Sequence, residues 1–402
     1  MPLTMDAAVS PPVFDVDPFS DEVLSNLYDY QARLRAAGPV VYIPRYDIYA
    51  VGRYAEVQQA MSDWKNFSSA SGTGLGNIKK GDSWRIPSAI VEVDPPDHTR
   101  VRSALMKVLS PIVVRSWRAG FDKEAGEIAD ELVSRGRFDG VKDLVEPFVL
   151  KVFPDALGLD DEGRQNLLVI GDLTANGFGP NNELTRRATE AVEPLLPWFD
   201  SKFERQNMLP TGFGARIWEL ADAGELDMEW LPGILRTFLR GGTDTVISGV
   251  SSTLHKLATH PRQWDLLKQD PSLTRAAFEE AIRLESPAQF IFRTTTREQD
   301  LAGYRLAAAM KVMCSLASAN RDPLRWEQPE EYDITRRNVG HMALGAGVHV
   351  CIGQMIARAE AEAVIGAVTA RVARLELDGP AVYRKSNGAR RLDSLPLRVT
   401  PK

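Results

Sequence analysis

The sequence predicts a mainly α protein with a minor β part, folded as one domain. Three observations carry this. Helical spacing of apolar residues runs almost unbroken from 100 to 285, alternating segments are few and short, and no linker-like stretch divides the 402 residues. At 44% hydrophobic, the chain can bury a large core.

The elements follow in order. Residues 1–18, rich in Pro and Asp, are expected to be a loose lead-in to a domain spanning 19–402. Residues 24–37 read as an amphipathic helix, and 40–51 alternate about a central turn like a β-hairpin. Helical spacing returns at 54–67. The Gly-, Ser- and Pro-rich segment 68–97 reads as a long loop, and such loops inside compact domains usually carry function. The helical region after it is broken at 134–136, 177–180 and 207–214. Short strands are expected near 290–297 and 311–316, a last long helix from Cys351 to about 375, and a strand at 394–399.

Composition excludes several classes. With 48 basic and 54 acidic residues the net charge is −6, against the basic footprint of a nucleic-acid binder. Two cysteines, Cys314 and Cys351, do not make a disulfide scaffold. The N-terminus lacks a basic region followed by an apolar run, and no stretch approaches the ~18–20 apolar residues of a membrane span. A cytoplasmic protein without a nucleic-acid or membrane partner is expected.

The strongest chemical signal is HMALGAGVHVCIG at 341–353. A sulfur that binds haem iron must stay anionic, and backbone N–H groups stabilise it when the chain wraps closely around it. Gly345, Gly347 and Gly353 permit that wrap, and the helix after Cys351 adds its N-terminal dipole. His349 can donate to a haem propionate. Taken alone, Cys351 would read as a small buried core residue; the glycine spacing, the histidine and the following helix reverse that.

These residues resemble the cytochrome P450 signature F-x-x-G-x-x-x-C-x-G, with Leu344 in place of its Phe. The other family motifs occur in order, and the resemblance covers nearly the whole chain. It implies the P450 fold in a single haem domain, with haem b on Cys351. Glu280-Ala281-Ile282-Arg283 matches the family's structural Glu-x-x-Arg, with Arg336 as third member. A lone pair of this spacing is weak, since such pairs are common on helix surfaces; its place about 70 residues before the cysteine gives it weight. The resemblance assigns His98, Arg102, Arg293 and His349 to the propionates. His98 and Arg102, at i and i+4, share one helix face.

Leu239 to Thr245 resembles the family's distal-helix motif. Mid-helix glycines cost about 1 kcal/mol each relative to Ala, so Gly241 and Gly242 call for a reason. The resemblance gives one: a helix that lies flat over the haem and bulges to hold oxygen and water. It makes Asp244 the proton relay and Thr245 the hydroxyl beside bound oxygen. Their presence favours a monooxygenase fed with electrons over a peroxide-driven enzyme or a haem sensor.

A looser resemblance is to the bacterial subset that demethylates para-methoxybenzoate, in DPPDHTR, VFPDALGL, GFGPNNEL and SPAQFIFRTTTRE. It implies O-demethylation of a methoxybenzoate or a lignin-derived methoxyphenol, releasing formaldehyde. The expected pocket comprises Ser71, Phe178, Thr237, Arg240, Gly241, Phe290 and Phe292. Arg240 either holds a substrate carboxylate or phenolate, or pairs with Asp244 four residues on. A hydroxylating or coupling oxidase of a larger natural product is the alternative. No flavin or nicotinamide fingerprint is present, so NAD(P)H electrons are expected through a ferredoxin and its reductase, with Arg358 and Lys107 as docking candidates on a monomer.

Overall fold

The Asp244–Thr259 helix is buried on every face from Val246 to Leu254, as the central member of an α core must be. It packs against the Thr274–Glu285, Pro261–Gln269 and Gln354–Arg371 helices, and the last of these lies along the 25-residue helix Pro111–Arg135. The computed structural model describes residues 9–81 and 87–402; residues 1–8 of the expected lead-in and 82–86 of the expected loop lie outside them. Helices predominate, with 54% of residues helical and 13% in strands.

Among the described residues the β part is four small sheets, of five, three, two and two strands. Five strands run in the order Val41–Ile43, Ile48–Val51, Lys311–Cys314, Ile291–Thr295 and Phe67–Ser68, with only the second and third parallel. Arg137–Asp139, Pro396–Pro401 and Val372–Leu377 form the three-stranded sheet, and Gln299–Leu301 with Tyr304–Leu306 and Val382–Arg384 with Arg391–Ser394 are the two-stranded ones. Among the described residues no helix is long and apolar enough to cross a membrane.

Several boundaries differ from expectation. The lead-in is not loose from residue 9 onward: Val9 bridges Tyr304, Val13 bridges Tyr42, and Phe14 is buried against Tyr30. Apolar side chains spaced along a Pro-rich stretch found a sheet edge to cover. The 24–37 helix is two, Asp21–Ser25 and Leu27–Ala37, broken where Asn26 takes φ −141°. The final helix stops at Arg371, because Val372 enters a strand whose partner lies at the other end of the C-terminal segment.

Candidate active site

Cys351 sits between a tight loop and a helix. Gly345 and Gly347 hold φ of +73° and +67°, and a Cβ on Gly347 would come within 2.7 Å of the Ser62 Cα. Only glycine lets the loop press so closely on the end of the Tyr54–Ser62 helix. The Cys351 N–H donates to the Leu344 carbonyl at 2.8 Å, which closes the loop. Burial pushes the Cys351 thiol up. The backbone N–H groups of Gly353 and Gln354, with the Arg102 and Arg358 guanidiniums, oppose that rise without cancelling it.

A cavity of about 310 Å³ opens over the sulfur. Four donors from distant parts of the chain gather around it. Arg102, Arg293 and His349 line it, and the His98 ring lies 4.3 Å from that of His349. His98 is 1% exposed, yet neither ring nitrogen has a protein hydrogen-bond partner. Burial, His349 and Arg102 hold its imidazole down at about 4, so at neutral pH it offers one N–H. Arg293 gives Nη1 to the Phe292 carbonyl at 3.0 Å and leaves Nη2 without a protein partner. His349 Nε2 is 3.9 Å from Asp94, too far for a hydrogen bond. Buried donors are rarely left unused, and a ligand with two carboxylates satisfies such a set. With a sulfur facing the same space, the residues fit haem.

The wall opposite the sulfur is a broken helix. Leu231–Gly242 and Asp244–Thr259 meet at Thr243, whose φ of −102° and ψ of −70° interrupt the ladder. A Cβ on Gly242 would strike the Phe153 ring at 2.1 Å, whereas Gly241 faces open space. Thr245 lines the cavity, and its hydroxyl donates to the Gly241 carbonyl at 2.7 Å, leaving its oxygen as an acceptor.

Asp244, 5% exposed, turns away from the cavity and pairs with Nη1 of Arg391, whose Nη2 holds Glu146 at 2.7 Å. Asp172 lies beyond it. Burial raises its carboxyl, Arg384 at 3.6 Å opposes the rise, and the Asp244 charge adds to it. Arg391, Glu146 and Asp172 were not legible in the sequence: Arg391 stands 147 residues from Asp244.

The structural set is closed. Glu280 and Arg283, both fully buried, share two bonds of 2.8 Å, and Arg336 gives Nε to Glu280 at 2.9 Å. Arg283 also donates to the carbonyls of Asn320, Pro329 and Glu331.

Several expected pocket residues lie elsewhere. Thr237 and Gly241 line the cavity, but among the described lining residues Ser71, Phe178, Arg240, Phe290 and Phe292 do not appear. Phe290 and Phe292 pack edge to face in a core cluster with Phe19, and Phe178 lies against that cluster. Strand alternation is the reason: Ile291 and Arg293 face the cavity, so their neighbours face away. That signal was available, since placing Arg293 at the cofactor places Ile291 beside it. The Ser71 carbonyl accepts from Ile78 N–H and Lys311 Nζ, which fixes the loop. Arg240 does not pair with Asp244. Its guanidinium lies over the Phe199 ring at 5.7 Å, because the break at Thr243 spoils the i,i+4 register and Arg391 takes the carboxylate. Arg358 is tied to Glu279 and Gln354, and Lys107 to Glu225, so neither cation stands alone as a docking contact.

Comparison with known proteins agrees with this geometry. Residues 215–371 match the family model described as "Cytochrome P450". The chain is 46% identical over 391 residues to cytochrome P450 CYP199A2 of Rhodopseudomonas palustris, covering 97% of this chain and 95% of that one. It is 28% identical to the beta-dihydromenaquinone-9 omega-hydroxylase of Mycobacterium bovis, over 96% of this chain and 79% of the relative. Among solved structures, cytochrome P450 CYP109Q5 from Chondromyces apiculatus superposes with a TM-score of 0.80 at 29% identity, covering 96% and 99% of the two chains.

Proposed function

The chain belongs to the cytochrome P450 family and is a haem monooxygenase, and on that premise we propose that it O-demethylates a small methoxyarene, a methoxybenzoate or a lignin-derived methoxyphenol. The supporting observation is the cavity wall facing Cys351. Ile90, Val91, Phe238, Val246, Ala288 and Ile291 make it apolar, and Thr237 offers a hydroxyl 2.6 Å from that of Ser88. A flat ring with one polar end suits such a wall.

Electrons come from NAD(P)H through redox partners. A ferredoxin serving a cytoplasmic monomer is the partner we assign. Bound haem supplies the redox chemistry that splits dioxygen. Cys351 would ligate it, and His98, Arg102, Arg293 and His349 would hold its carboxylates. The apolar wall orients the substrate methyl group and excludes bulk water. Asp244 Oδ1, on release from Arg391, takes up a proton and brings it toward Thr245, while Glu146 keeps Arg391 in place. The overall balance is methoxyarene, O2, NAD(P)H and a proton giving the arenol, formaldehyde, water and NAD(P)+.

A spin-shift screen of the haem-loaded protein with methoxybenzoates and methoxyphenols tests the assignment. One formaldehyde per arenol from a shifting compound is the expected result. Shifts only with large polycyclic or macrolide compounds would overturn it. Cys351→Ser is expected to abolish the carbon-monoxide band of thiolate-bound haem; a retained band would remove Cys351 as the ligand.

A further inference from the structure

Glu279 precedes Glu280 on the Thr274–Glu285 helix, and one step along a helix turns a side chain by about 100°. The two acids therefore serve different neighbours. Glu280 holds Arg283 and Arg336, whereas Glu279, 8% exposed, reaches both sides of the loop that carries Cys351. Its Oε2 accepts from His341 Nε2 at 2.6 Å, before the cysteine, and its Oε1 accepts from Arg358 Nε, beyond it. His341 Nδ1 accepts from the Ala343 N–H at 3.2 Å, so Nε2 carries the ring hydrogen that Glu279 receives. These bonds outweigh burial, and Glu279 stays ionised at neutral pH.

Each arm ends on a group that bonds Cys351. His341 caps the Met342–Leu344 turn, whose Leu344 carbonyl accepts the Cys351 N–H at 2.8 Å. Arg358 Nη1 donates to the Gln354 side chain at 2.6 Å, and the Gln354 backbone N–H donates to the sulfur. The Arg358 guanidinium also acts on the sulfur through its charge. Hydrogen bonds and charges around a metal-bound sulfur set how much electron density it gives the metal. The Arg358 and Glu279 side chains are 21% and 11% exposed, so solvent and salt screen this pair less than a surface one.

We propose that Glu279 is a positioning residue for the thiolate. It clasps the loop before Cys351 to the helix after it, and its charge offsets that of Arg358, which keeps the reduction potential of bound haem low. A cation beside the sulfur favours the added electron, and the paired carboxylate opposes it. The proposal rests on Cys351 as the iron ligand and does not depend on the substrate.

The test is a spectroelectrochemical titration of the haem-loaded protein without substrate, at neutral pH and fixed salt. A unit charge about 10 Å from the iron, at an effective dielectric of about 20, changes the one-electron reduction equilibrium about ten-fold, or about 59 mV. Glu279→Gln is expected to raise the potential by that amount and Arg358→Gln to lower it similarly. The double variant is expected to return to within about two-fold of the wild type, and Glu279→Asp, which keeps the charge, to stay there. A merely structural role would reduce haem content or stability and leave the potential of the loaded fraction in place. A Glu279→Gln change below about two-fold, or a fall, overturns the proposal. If that variant does not load haem, the step from Arg358→Gln to the double variant still isolates the glutamate charge, and no rise across that step overturns it equally. The wild-type carbon-monoxide band reports separately on Cys351, so a failure of the ligand assignment is distinguishable from a failure of the clasp.

Discussion

Removing the Glu280 carboxylate exposes how much of the fold hangs on one buried ion. In Glu280→Ala, Arg283 keeps its three carbonyl acceptors but loses both carboxylate bonds, and Arg336 loses its Nε partner. Both Glu280 and Arg283 are 0% exposed, so water cannot step in cheaply. Breaking a fully buried pair by deleting one member costs about 3–5 kcal/mol, because a charge is left uncompensated. With an unfolding entropy of about 2.1 cal/mol/K per residue, 1 kcal/mol over a chain of this length moves Tm by about 1.2 °C, giving a loss of about 4–6 °C. The assay is thermal and urea unfolding of the haem-loaded protein, followed by far-UV circular dichroism and the Soret band together. Glu127→Ala, which breaks the exposed Lys123–Glu127 pair at 3.8 Å, is the control and is expected to leave Tm in place. A Glu280→Ala loss below about 1 kcal/mol, the range of exposed pairs, would refute the buried-charge account.

Other outcomes follow from the same geometry. Thr245→Ala is expected to divert NAD(P)H electrons to peroxide while Thr245→Ser retains coupling; equal coupling in the alanine variant removes the hydroxyl from the proton path. Ile291→Ala is expected to weaken substrate-induced spin shifts with little loss of stability. Phe290→Ala is expected to do the reverse, losing about 3–5 kcal/mol of stability with the shift intact. Opposite assignments would mean the strand faces are exchanged. Burial works against ionisation of Glu279, but hydrogen bonds from His341 and Arg358 outweigh it and hold the carboxyl down at about 2. Its contribution to stability is therefore complete above its unfolded value of 4.5 and is lost as pH falls from there toward about 2. Acid titration of Glu279→Gln is expected to show a shallower loss across that window, and an unchanged slope would count against it.

The sequence by itself determined the elements whose signals are local. Glycines at 345 and 347 mark a loop wrapped closely around the sulfur, and glycines at 241 and 242 mark a distal helix that cannot stay regular. The order of motifs along the chain was enough for the family. The direction in which a side chain points was legible only where the period was applied consistently; Phe290 and Phe292 were misplaced because the strand's alternation was not carried through from Arg293. Tertiary structure alone decided the partners that close a charge. Arg391 reaches Asp244 from a C-terminal strand, and the i,i+4 rule that pointed to Arg240 failed because Thr243 unwinds the turn between them.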